Sequence, residues 1–126
     1  MRLIVLAVLL VSGLYGVRGD PPVQPVTKVT LVANDYTFSP AEIRAVSGGA
    51  LEITVVNHGQ HVHGLRLVLS YGEVPFPENV PPGRQLTETF TNLGSPGRYR
   101  FYCPVEDHDA RGMHGTLIVT GPTTSK

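Results

Sequence analysis

Gly97-Arg-Tyr-Arg-Phe-Tyr-Cys103-Pro-Val-Glu-Asp-His108-Asp-Ala-Arg-Gly-Met113-His-Gly115-Thr-Leu-Ile-Val-Thr120 alternates, breaks off, and alternates again. In the first run Tyr99, Phe101 and Cys103 share one face, by the two-residue period of a strand. The second run, Gly115 to Thr120, reads as a strand that closes the domain. The intervening loop must therefore present Cys103, His108 and Met113 at one end of the sheets. Gly112 lets the backbone turn tightly beside Met113, with no Cβ in the way.

The same rhythm extends upstream. Val26 to Val32, Tyr36 to Phe38, Glu42 to Val46, Leu51 to Val56, His63 to Leu69 and Leu86 to Phe90 are short, mostly alternating runs ended by turn residues. Their spacing, about 8–12 residues, is that of a β-sandwich. His63, Leu65, Leu67 and Leu69 fall on one face, so His63 is expected to open its strand at a pole. Ser70 to Gln85 holds Pro75, Pro77, Pro81 and Pro82 and reads as a long irregular connection with a helical turn at Glu78. There is no long amphipathic helix and no internal repeat. The expected architecture is all-β, seven or eight strands in two packed sheets.

Composition limits the remaining choices. The chain has 126 residues, with ten basic and ten acidic side chains. A zero formal charge argues against nucleic acid or an anionic membrane as the main partner. The length suits one domain with one modest core. A single cysteine allows no internal disulfide, so the core or a metal must hold the fold.

The first nineteen residues read as a signal peptide. Arg2 is the positive start, Leu3 to Val11 the apolar segment, and small residues follow. That segment is roughly half the ~20 apolar residues a spanning helix needs. Cleavage is expected after Gly19, with Gly16 as an alternative. The expected organisation is 1–19 signal peptide, 20–25 proline-rich leader, 26–121 domain and 122–126 tail. The mature chain is then periplasmic or secreted, with no membrane span; a thylakoid lumen remains open.

Cys103, His108 and Met113 supply three of the four ligand types that a blue-copper site uses: two His, one Cys and a weak axial Met. The missing histidine lies upstream. His63 fits best because it continues the inward face, and His61 is the alternative. His58 and His114 read as surface residues.

On these residues the chain resembles the cupredoxins, the small blue-copper proteins of the plastocyanin, azurin and rusticyanin type. The resemblance runs from Tyr36-x-Phe38-x-Pro40, Ile43, Gly48 and Asn57 ahead of His63 to Gly97-x-Tyr99-x-Phe101-x-Cys103. It continues through the Cys-x4-His-x4-Met loop to Gly112-Met113-x-Gly115. It implies a Greek-key sandwich, one type 1 copper held by His63, Cys103, His108 and Met113, and soluble one-electron transfer. Two positions depart from the family. Gly64 stands where many relatives carry Asn or Ser that ties the two ligand loops, although its N–H can reach the Cys103 sulfur. Pro104 removes one amide from beside that sulfur.

The resemblance implies a monomeric carrier between redox partners: a cytochrome, oxidase or reductase. Glu106, Asp107 and Asp109 around His108 suggest a rim for a basic partner, and the edge of His108 is the expected electron exit. The alternative is a copper-delivery or storage protein, suggested by the additional histidines. Zinc suits thiolate and imidazole but is poorly served by Met. An enzyme is not expected. Copper reductases and oxidases need further histidine-rich centres, and a dinuclear copper centre needs two cysteines.

Overall fold

The computed structural model describes Gly16, Gly19 and residues 23–122. Most of the expected signal peptide, half of the leader and most of the tail lie outside the described residues. Among the described residues nine strands form two sheets: β1 (Val26–Asn34), β2 (Thr37–Ser39), β3 (Glu42–Val46), β4 (Ala50–Asn57), β5 (Arg66–Leu69), β6 (Gly72–Pro75), β7 (Gln85–Phe90), β8 (Gly97–Tyr102) and β9 (His114–Thr120). One sheet runs β2-β1-β4-β7, the other β3-β9-β8-β5-β6. No described residue is helical.

Alternation explains the layers. Leu51, Ile53 and Val55 of β4 and Leu67 and Leu69 of β5 turn inward and are buried. The β4 residues come from one sheet; the β5 pair shares the other with Phe101, Leu117, Val119 and Ile43, and all pack into one core. Burying a side chain of this kind is worth about 1.5–3 kcal/mol, so this shared core is what holds the sheets together.

Two parallel pairings set the functional end. β1 pairs with β4, with Ala33 opposite Asn57, and β3 pairs with β9. The first places the chain leaving β1 beside the chain leaving β4. The His58 amide donates to the Ala33 carbonyl at 2.8 Å, extending the contact past the strand ends.

The architecture matches the sequence reading, with local differences. The count is nine strands rather than seven or eight, because β6 lies in the segment read as irregular. The helical turn expected at Glu78 is absent. β5 begins at Arg66 rather than His63. His63 instead forms an isolated antiparallel bridge with Val80. Its inward phase is kept: His63, Leu65, Leu67 and Leu69 are all buried.

Candidate metal centre

The loop after β8 is a chain of turns closed by backbone bonds. The Cys103 amide donates to the Met113 carbonyl at 3.0 Å, and the Met113 amide donates to the His108 carbonyl at 3.0 Å. The His108 amide donates to the Val105 carbonyl at 3.0 Å. Gly112 takes the left-handed region, φ 106°. These bonds fold Cys103, His108 and Met113 back onto one another, and all three are buried.

His63 approaches from the other side. Its amide donates to the Val80 carbonyl at 3.2 Å, and the Val80 amide returns a bond to the His63 carbonyl at 2.7 Å. Asn57, fully buried, secures this approach. Its Nδ2 donates to the carbonyls of His61 (2.7 Å) and Val80 (2.8 Å), and its Oδ1 accepts from the Gly59 amide at 2.8 Å.

Three donor atoms converge. His63 Nδ1 and His108 Nδ1 are 3.2 Å apart. Cys103 Sγ lies 3.5 Å from His108 Nδ1 and 4.0 Å from His63 Nδ1. These residues form a buried group able to hold a metal. Bond lengths of about 2.0 Å to imidazole nitrogen and 2.3 Å to thiolate set the scale for such an ion. A trigonal set then needs a nitrogen–nitrogen edge of about 3.5 Å and nitrogen–sulfur edges of about 3.7 Å. The observed triangle fits an ion with little adjustment.

A family model for the cupredoxin-like domain matches residues 2–119. The chain belongs to the cupredoxin-like family. The solved structures it resembles include reduced auracyanin from Roseiflexus castenholzii, at TM-score 0.69 and 20% identity over 75% of this chain and 97% of that one. Auracyanin A, a "blue" copper protein from Chloroflexus aurantiacus, matches at TM-score 0.64 and 19% identity, over 76% of this chain and 100% of that one. The blue copper oxidase of Nitrosomonas europaea matches at TM-score 0.66 and 19% identity over 80% of this chain, but only 41% of its own length is covered. No curated protein matches in sequence.

For a cupredoxin-like domain, this donor set fits one type 1 copper. Thiolate, thioether and two imidazoles suit both oxidation states. Burial pushes the Cys103 thiol above its ordinary pKa, and the amides of Gly64 and Val105 pull it back. The Gly64 amide reaches Cys103 Sγ at 3.4 Å, as the sequence allowed. A Cβ at position 64 would collide with Asn79 Oδ1 and press on the Pro104 ring. Asn79 and Pro104 therefore leave no room for a side chain at position 64.

His61 does not join the donors. Its side chain is 58% exposed and contacts Asp35. His58 and His114 are exposed, as expected.

Asp35 is the residue sequence reasoning missed. Its Oδ1 lies 2.6 Å from His63 Nε2, and its Oδ2 lies 3.1 Å from His61 Nδ1. The Gln60 amide donates to Oδ2 at 2.8 Å. That bond, with those from the two histidines, holds the carboxyl well below the usual carboxylate range. Burial pushes the His63 imidazole below its ordinary pKa, and Asp35 opposes the shift. The one sequence signal was position: Asp35 directly precedes the Tyr36-x-Phe38 motif.

The rim differs from expectation in two ways. His108 is only 3% exposed rather than presenting an open edge. The Tyr36 ring sits 4.8 Å from its ring, and the Arg111 guanidinium lies 4.7 Å over Tyr36. Two of the three rim carboxylates are internally paired: Asp107 with Arg111 at 2.9 Å and Asp109 with Arg100 at 2.5 Å.

Proposed function

We propose that this chain is an exported one-electron carrier. His63, Cys103, His108 and Met113 would hold one copper. The observation that carries the reading is the buried triangle of two Nδ1 atoms and one Sγ, with edges of 3.2, 3.5 and 4.0 Å. One-electron exchange between Cu(I) and Cu(II) is the chemistry a bound copper supplies there. The residues of the chain do the rest. The bridge at Val80 holds His63 from one side, and the turn bonds of the Cys103–Met113 loop hold the others. Donors fixed from two segments in a close-packed interior move little when charge changes, which favours fast exchange. The likeness to auracyanins, which spans 97% and 100% of those chains, supports the carrier reading.

Export rests on the N-terminal sequence pattern. The partner is a cytochrome, oxidase or reductase that docks at the pole formed by Tyr36, His61 and Arg111. The electron then passes through the His108–Tyr36 contact. The chain itself carries no catalysis in this reading.

Copper delivery is the second reading, favoured by the exposed His61 in contact with Asp35 behind it. Stopped-flow mixing of the reduced, copper-loaded protein with a c-type cytochrome separates the two. A carrier reduces the cytochrome and keeps its copper over many cycles. Loss of copper to an apo-acceptor faster than electron exchange would replace the carrier reading with delivery.

A further inference from the structure

We propose that Asp35 is a positioning residue of the copper centre: its carboxylate fixes the tautomer and orientation of His63 and lowers the reduction potential. This rests on the copper reading above.

The geometry leaves His63 one useful arrangement. Nδ1 faces Cys103 and His108, and Nε2 faces Asp35 Oδ1 at 2.6 Å. A carboxylate accepts only, so Nε2 must carry the proton and Nδ1 must offer its lone pair to the metal. A bond this short is charge-assisted and stronger than a neutral one. Flipping the ring would forfeit it.

The carboxylate is itself immobilised. Besides His63 it takes the amides of Gln60 at 2.8 Å and His61 at 3.4 Å, and the His61 ring at 3.1 Å. The chain also keeps room for the contact. A Cβ at position 59 would collide with the Asp35 carboxylate and come within 2.9 Å of His63 Nε2. Asp35 takes no part in the hydrophobic core. Its side chain is 21% exposed, and its contacts converge on the His63 side of the site. A negative charge one imidazole away favours the more positive oxidation state by Coulomb attraction, so Cu(II) gains over Cu(I).

Asp35→Asn tests this, because it keeps the size and an acceptor oxygen but loses the charge. Cu(II) affinity is expected to weaken about 10–100-fold, the usual effect of losing a ligand's outer partner. Cu(I) affinity weakens less, so the reduction potential rises. A purely structural role would weaken both oxidation states alike and leave the potential in place. Equal losses, or affinities within about twofold of the parent protein, overturn the proposal. Zinc-loaded unmodified protein provides a second measurement that needs no variant. The His63 Nε2 proton should give a downfield, slowly exchanging NMR signal, and its absence also overturns the proposal. If the unmodified protein takes up no copper, the copper reading fails first and this inference falls with it.

Discussion

Replacing Asn57 with alanine removes the amide that ties the His63 approach to the segment around Val80. Three hydrogen bonds go, at 2.7, 2.8 and 2.8 Å. Val80's carbonyl keeps the His63 amide as a partner, whereas the His61 carbonyl and the Gly59 amide each lose a bond. A neutral hydrogen bond contributes about 1 kcal/mol net, and leaving a buried group unpaired costs more. The total is about 3 kcal/mol. For a domain of this size, 1 kcal/mol moves the melting temperature by about 4–8 °C, so the variant should melt roughly 12–24 °C lower. Urea unfolding of the apo-protein measures the loss directly, as a lower midpoint at unchanged slope. The loop from Gly59 to His63 also carries the contacts to Asp35, so metal affinity should fall together with stability. A loss below about 1 kcal/mol, or full stability with intact metal binding, would refute the idea that this amide organises the site.

Other perturbations give separate tests. Copper binding must expel the Cys103 proton, and burial raises that thiol's pKa. Below that pKa, each unit of pH should tighten the apparent Cu(II) affinity about tenfold. His63, with its pKa lowered, stays neutral near pH 7 and does not compete. Affinity that is flat from about pH 6 to 8 would contradict the raised thiol. Met113→Leu should cost less than about 1.5 kcal/mol in unfolding, because volume is conserved. It should also raise the potential through loss of the axial thioether; an unchanged potential in voltammetry would remove Met113 from the ligand set. Glu106→Gln/Asp107→Asn should slow association with a basic cytochrome at low salt. The effect should be modest, because Arg111 and Arg100 already pair two rim carboxylates. A rate indifferent to both salt and substitution would remove the acidic rim from docking.

What the sequence revealed follows from how local each feature is. Strands buried on one face announce themselves by alternation, and the Cys103–Met113 loop carries its donors within one turn-rich segment. His63 was legible by phase, because it continues the face of Leu65 and Leu67 even though β5 starts three residues later. β6 was hidden because it is an edge strand. Among the described residues, Gly72 to Pro75 pairs only with β5, and an edge strand tolerates proline and needs no apolar face. Asp35 and the Tyr36–Arg111 cover were hidden for a different reason. Asp35 reaches His63 only because the parallel β1–β4 pairing sets two strand ends side by side. Tyr36 and Arg111 meet from segments seventy-five positions apart. No local pattern encodes either contact.

The central claim is the donor set. Titration of the apo-protein with copper, followed by visible absorption and electron paramagnetic resonance, tests it most directly. The expected result is one equivalent bound, an intense thiolate-to-copper band, loss of the band in His63→Ala, and its survival in His61→Ala. A protein that stays colourless with copper, or that loses its colour with His61→Ala but not with His63→Ala, would contradict it.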